Sequence, residues 1–207
     1  MKRWLVICLL TAPLAFAARV TAAVKPLIDN ERVTVWDLGP ADLNTADDVM
    51  KAAASMDTVA VYMAPETLQG RVDYVAKGTA LRDTLRKSGA TRMAVIALKD
   101  KVVPPLPNRS GLADAFPRPR SKKVIDNARV VVWDYTFEAG EPSPMHFHPR
   151  DVVTIYLKDG MLISTTPDGT KTNNEFTYGT IRFNPSNRTH TEVLTRGGSR
   201  IIAAELK

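Results

Sequence analysis

The chain of 207 residues carries three histidines, His146, His148 and His190, and these are the side chains with the widest chemical reach. Imidazole nitrogen is a ligand for Fe, Zn, Mn, Ni and Cu alike, so the residue type names a site for one divalent transition metal without naming the ion. On an extended strand His146 and His148 point to the same face about 6 to 7 Å apart, which lets two rings converge on one ion. Three neutral donors leave a divalent ion its full charge and, in an octahedral shell, three open positions on one side. Such a centre favours a chelating anion. Arg182 and Arg188 flank the region of His190 and could draw in that anion, since a guanidinium pairs with a carboxylate through two bonds. Two carboxylates are candidates for acid, base or ligand work: Asp151, three residues after His148, and Glu192, which shares strand parity with His190 and could orient its ring. Each imidazole must be neutral to bind, so from an unperturbed pKa of about 6.5 metal affinity should fall below about pH 6.

The elements around these residues read as strands. Val130-Val131-Val132-Trp133, Val152-Val153-Thr154-Ile155-Tyr156-Leu157, Met161-Leu162-Ile163-Ser164 and Ile201-Ile202-Ala203-Ala204 are short apolar or β-branched runs. Turn signals separate them at Glu141-Pro142, Asp159-Gly160, Pro167-Asp168-Gly169 and Gly197-Gly198. Strands of this length and spacing indicate an all-β sandwich or barrel. Phe147, Val153, Ile155, Phe183 and Leu194 would pack its interior, the nearest of them walling the metal pocket.

The chain also repeats itself. Ile28-Asp29-Asn30-Glu31-Arg32-Val33-Thr34-Val35-Trp36-Asp37 recurs as Ile125-Asp126-Asn127-Ala128-Arg129-Val130-Val131-Val132-Trp133-Asp134, with eight identities in ten. Arg92 with Leu98-Lys99 recurs as Arg200 with Leu206-Lys207, at an offset of 108. Residues 24–100 and 123–207 are therefore expected as two tandem halves, and only the second carries histidine. Asn44 to Ala54 interrupts the strand pattern of the first half with helix-favouring residues, and Thr45 with Asp48 reads as a capping box at its start. Between the halves, residues 101–122 hold five of the fourteen prolines, the composition of an extended linker.

Residues 1–23 read as a secretory signal peptide: Lys2 and Arg3, an apolar run from Trp4 to Leu10, then small residues around Ala15 to Ala18. The run is too short for a bilayer span of roughly 20 residues. Export to the periplasm or beyond is expected, with no membrane association after cleavage. Cys8, the single cysteine, lies in that segment, so the mature chain is expected to lack disulfides and thiolate chemistry. The formal charge of +6 is spread thinly and includes Lys2 and Arg3, with no basic run interleaved with aromatics, so nucleic acid is not an expected partner.

Taken together, Gly140, His146-Phe147-His148, Gly160, Gly179, Pro185, Asn187 and His190 follow a spacing that resembles the two signature motifs of the cupin superfamily, G-x5-H-x-H-x(3,4)-E-x6-G and G-x5-P-x-G-x2-H-x3-N. The likeness runs from Gly140 to Leu194 and places all three histidines at ligand positions. It implies a jelly-roll β-barrel, with the tandem halves forming a two-cupin chain whose first copy has lost its site. The Arg-Val-x-Val-Trp start and Leu-Lys finish are similar to those of small bacterial cupins of uncertain activity, one associated with β-alanine breakdown. The motif glutamate falls at Val153, the second-motif glycine at Asn187 and the closing asparagine at Leu194. The resemblance thus implies a three-histidine centre in place of the four-ligand one.

Cupins with three histidines and no glutamate include dioxygenases of thiols and of diketones. That implies an iron(II) centre acting on a small anionic substrate, whereas zinc with three histidines and a water would suit hydrolysis. The alternative is a non-enzymatic cupin that binds a metal or small molecule. A homodimer is compatible with either.

Overall fold

Val130-Val131-Val132-Trp133 has no polar face, and a strand of that kind must be covered on both sides. The computed structural model of the chain, which describes residues 23–79, 81–82 and 88–207, shows how this is done. Of residues 1–23, expected as a signal peptide, all but residue 23 lie outside the described residues. Among them no helix is long and apolar enough to cross a membrane.

The first half contains β1 (Ile28–Asp29), β2 (Val33–Leu38), α1 (Pro40–Thr45), α2 (Asp47–Ala54), β3 (Asp57–Ala64), β4 (Val72–Val75) and β5 (Arg92–Leu98). Its strands form one five-stranded sheet in the order β1-β2-β5-β3-β4. The second half adds β6 (Ala113–Asp114), β7 (Ser121–Asp126), β8 (Val130–Thr136), β9 (His146–His148) and β10 (Val152–Tyr156). It continues through β11 (Gly160–Thr165), β12 (Lys171–Phe176), β13 (Ile181–Asn184), β14 (Arg188–Gly197) and β15 (Arg200–Leu206). These build two five-stranded sheets, β13-β10-β15-β8-β7 and β12-β11-β14-β9-β6. The chain from β8 to β15 crosses between the two sheets in jelly-roll order, with β7 and β6 added at the edges.

The sequence repeat is a repeat of sheets. Strands β1, β2, β5, β3 and β4 occupy the same relative places as β7, β8, β15, β10 and β13. Val33 opposes Leu98 and Trp36 opposes Val95, as Val130 opposes Leu206 and Trp133 opposes Ala203. Among the described residues the second sheet of the barrel, β12-β11-β14-β9-β6, has no strand counterpart in the first half. Where β9 intervenes between β8 and β10, the first half has α1 and α2, and these cover one face of its sheet through Val49, Met50 and Ala53 against Trp36, Leu38 and Tyr62. The expected helix is present, but its start differs from expectation. Thr45 closes α1, with Oγ1 donating to Ala41 O, and Gly39 N–H donates to Asp42 Oδ2 to begin that helix. A second helix then begins at Asp47 without a side-chain cap.

The two related sheets pack face to face. Val33, Val35, Val59, Val61, Ile96 and Leu98 meet Val130, Val132, Val153, Ile155, Ala204 and Leu206 in one buried core. Each large aliphatic side chain buried there contributes about 1.5–3 kcal/mol. The other face of the β13-β10-β15-β8-β7 sheet lines the barrel, with Trp133, Tyr135, Val152, Tyr156, Ile201 and Ala203 in a separate core. Strand β10 is buried at every position because it serves both.

Paired arginines stitch the seam. Arg32 donates to Lys207 O at 3.2 Å, and Arg129 donates to Lys99 O at 2.6 Å in the opposite direction. Arg92 grips Asp37 with Nε and Nη2 at 3.0 and 2.6 Å, as Arg200 grips Asp134 at 3.1 and 2.7 Å. Each guanidinium presses on a glycine of the other half: a Cβ on Gly179 would stand 2.2 Å from Arg92 Nη2, and one on Gly70 would stand 2.5 Å from Arg200 Nη2. Both glycines also adopt positive φ, +83° and +82°, so a side chain at either would be strained and would have to displace the guanidinium.

Residues 101–122 are more than a spacer. Leu106 N–H donates to Pro149 O, β6 pairs in parallel with β9, and Ala115 and Phe116 are buried in the barrel core. This Pro-rich segment straps the mouth of the barrel.

Candidate metal centre

Strands β9 and β14 pair antiparallel, placing His190 directly opposite His146. The alternation of β9 turns His146 and His148 to one side, and all three imidazoles are buried. His146 Nε2 lies 3.1 Å from His148 Nε2, which lies 3.2 Å from His190 Nε2. With all three lone pairs turned inward these ring nitrogens repel one another, and a cation among them relieves that repulsion. An ion bonded to imidazole nitrogens at about 2.0–2.1 Å sets neighbouring donors about 3.0–3.4 Å apart, so the spacing fits a first-row divalent metal. His146 Nδ1 is 2.8 Å from Pro144 O and, as the donor, leaves the Nε2 lone pair facing inward. The three histidines form a group that could hold a metal ion.

Electrostatics keep these rings neutral. Burial, reinforced by the Arg118 cation, brings the His146 pKa down to about 4. Burial with Arg188 and then Arg118 does the same to His190, also to about 4. His148 is pushed further down, first by burial and then by Arg188. The expected loss of metal affinity below about pH 6 therefore moves to lower pH, because an imidazole enclosed in apolar wall beside two guanidiniums resists a proton.

A cavity of about 50 Å³ adjoins the histidines. Phe116, Phe137, Leu162 and Tyr156 supply its apolar wall, and Arg118, Arg188, Thr154 and Glu192 its polar groups. Tyr156 stacks on Phe176 with centroids 4.1 Å apart, and burial raises its phenol to about 12, so it is present as the neutral hydroxyl. Arg188 belongs to this wall, with Nε donating to Pro185 O at 2.6 Å. Glu192 Oε2 stands 3.8 Å from His190 Nε2 and 3.6 Å from Arg118 Nη1.

No family model matches the chain. A stretch of 45 residues is 40% identical to the β-alanine degradation protein BauB of Pseudomonas aeruginosa, covering 22% of this chain and 47% of that protein. The match thus spans about half the length of the curated relative. A cupin domain from Bordetella pertussis Tohama I aligns at 26% identity and a TM-score of 0.38, over 42% of this chain and 91% of that one. An RmlC-like cupin with a double-stranded β-helix fold from Methanocaldococcus jannaschii aligns at 17% identity and a TM-score of 0.36, over 50% and 89%. The jelly-roll strand order and the two histidine motifs of this chain lie in one barrel.

The second half is a jelly-roll β-barrel that carries the histidine spacing resembling the cupin motifs.

Not every residue singled out in the sequence reaches the cupin site. Asp151 lies on the other side of the barrel wall, where it pairs with Arg32 at 3.1 Å and accepts the Ser186 N–H at 2.8 Å. Val153 was expected at the place of the motif glutamate, but it is packed between the two halves with Ile155 and Phe183. Val152 faces the cavity beside His148, one residue before the place that the motif, counted to Gly160, assigns to the glutamate. Parity made Asp151 and Val153 companions, and both face away from the three histidines. Leu194 does line the barrel core. Arg182 lies outside the cavity lining, with its guanidinium 5.5 Å from the Tyr156 ring centroid. Asn187 takes φ of +63°, which explains why a glycine stands at this place in the cupin motif and why asparagine can replace it.

Arg118 and Phe116 were missed. They sit in a segment whose prolines mark it as a linker, and the only hint was a phenylalanine and two arginines among them, Phe116-Pro117-Arg118-Pro119-Arg120.

Proposed function

We propose that the protein is an exported cupin with one divalent metal on His146, His148 and His190, and that it oxidises a small anionic substrate with iron(II) and dioxygen. The observation that carries the metal reading is the convergence of three buried Nε2 atoms at 3.1 and 3.2 Å. The chemistry that a bound iron(II) with open coordination positions supplies is the activation of dioxygen. The chain's own residues set the conditions for it. The Pro144 carbonyl fixes the His146 tautomer. The apolar wall of Phe116, Phe137 and Leu162 limits water, and Arg188 provides positive charge for an anion. The Pseudomonas relative carries a name tied to the degradation of β-alanine, itself a small carboxylate, in keeping with this substrate class. Lys2-Arg3, the apolar run and the alanines that follow support export, which N-terminal sequencing of the mature protein tests.

A binding module is the second reading. It is favoured by Glu192, the carboxylate among the cavity-lining residues, facing Arg118 and His190 with no separate free base beside it. Metal analysis of protein purified without added metal, followed by oxygen uptake over a panel of thiols, diketones and carboxylates, separates the two. Uptake by the iron form with one substrate class supports the enzyme. Tight ligand binding without turnover supports the binding module.

A further inference from the structure

Arg118 reaches the histidines from the Pro-rich strap with a side chain only 8% exposed. Its guanidinium lies over the rings of Phe116 and Tyr135, 4.6 and 4.9 Å from their centroids, and Nε donates to Ala115 O at 2.7 Å. The strap itself is held: Ala113 pairs with His146, and Ala115 N–H donates to Phe147 O at 2.7 Å. Pro117 and Pro119 restrict the backbone on either side of the arginine. What remains is the outer fork of the guanidinium. Nη2 lies 3.2 Å from His146 Nε2. Nη1 is buried and donates to nothing, with Glu192 Oε2 at 3.6 Å, beyond hydrogen-bond length. A buried, unpartnered N–H on a fixed guanidinium is a cost that a ligand can relieve.

Charge points the same way. The cavity is lined by two guanidiniums, Arg118 and Arg188, against one carboxylate, Glu192, before any metal is counted. Once His146 Nε2 is committed to an ion it has no lone pair for Nη2. Nη1 and Nη2 are then free together, as the parallel pair of donors that matches a carboxylate.

On the three-histidine reading above, we propose that Arg118 is the carboxylate-binding residue of this site and that its ligand is a small carboxylic acid. The acid's carboxylate takes the fork in place of Glu192, and its remaining atoms are directed toward the histidines. The cavity of about 50 Å³ suits a small acid. The Pro-rich segment is then a recognition strap, since it carries the residue that selects the ligand.

Titration calorimetry of the full chain loaded with redox-inert zinc tests this, with acetate as the probe and acetamide and chloride as comparisons. Acetate should bind, acetamide of the same shape should not, and chloride should bind at least tenfold more weakly because it cannot use both donors. Arg118→Met should weaken acetate at least tenfold while metal per chain, measured by mass spectrometry, stays at the parent value. Arg118→Lys, which keeps the charge and loses the fork, should fall between them. Equal binding of acetate and acetamide, or parent-like acetate affinity in either variant, overturns the proposal. Loss of metal in Arg118→Met also overturns it, by making Arg118 part of the metal site. If the parent takes up no metal, the metal reading fails by itself, and an acetate affinity of the metal-free chain that drops in Arg118→Met still upholds the arginine's role.

Discussion

Arg32 Nη1 donates to Asp151 Oδ2 at 3.1 Å across the seam between the halves, and Arg129 Nε approaches Asp57 Oδ2 at 3.8 Å on the matching edge. Asp57 opens β3 and Asp151 immediately precedes β10, the two equivalent strands, so both carboxylates hold the halves together. Arg32 is 5% exposed, and removing its partner leaves a buried cation short of an anion. Asp151→Ala should therefore lower unfolding stability by about 3 kcal/mol. Its metal content should equal the parent's. Denaturant unfolding alongside metal analysis checks both, and a drop in metal with unchanged stability would return Asp151 to the ligand set.

Positions 152 and 153 make opposite predictions. Val152→Glu places a carboxylate in the cavity beside His148, where it costs several kcal/mol in the metal-free protein and is rescued by metal. Val153→Glu places the same group between the packed sheets, where metal cannot reach it. The melting temperature of the first variant should recover on metal addition and that of the second should not. Recovery of the Val153 variant would show that β10 runs in the other register.

The pH dependence follows from the depressed imidazoles. His146 and His190 stay neutral down to about 4, so metal affinity should be nearly flat from pH 7 to 5 and collapse around pH 4. The metal-free protein behaves differently. Between pH 6.5 and 4 the unfolded chain takes up protons at these rings while the folded chain does not, so folding stability falls as pH falls through that window. Metal affinity from competition titrations and melting curves of the apo form at the same pH values test the pair of statements. An affinity halved by pH 6 would mean that the rings are more solvated than their burial implies.

Asn187 supplies a backbone test. Its φ of +63° should accept Asn187→Gly with little change, whereas Asn187→Val should cost about 1–2 kcal/mol and loosen His190, three residues on. Thermal melts and metal affinity of the two variants report this, and an equally tolerated valine would contradict the left-handed turn.

Much of this was legible from residue order alone. The repeat of Ile28 to Asp37 at Ile125 to Asp134 shows up as two sheets of the same strand order, because identical strand starts pair identically. The three histidines were visible by spacing, since β9 and β14 carry them with simple alternation. Which face of β10 lines the barrel was not legible from the motif spacing. Val152 to Tyr156 is buried on both sides, and counting the motif to Gly160 set the parity on Val153, although the hydroxyls of Thr154 and Tyr156 mark the face of Val152 as the one toward the cavity. Arg118 was hidden for a different reason. Proline content describes the stiffness of a segment and is silent about what that segment packs against, and here the strap is held by contacts to residues distant in the sequence, among them His146, Phe147 and Pro149.

The central claim is that one metal ion sits on the three histidines of the second half. Mass-spectrometric metal analysis of the mature protein and of its His146→Ala, His148→Ala and His190→Ala variants measures it directly. The account predicts about one ion per chain in the parent and loss of most of it in each folded variant. A parent stoichiometry near two, or full occupancy in any one of the three variants, would contradict it.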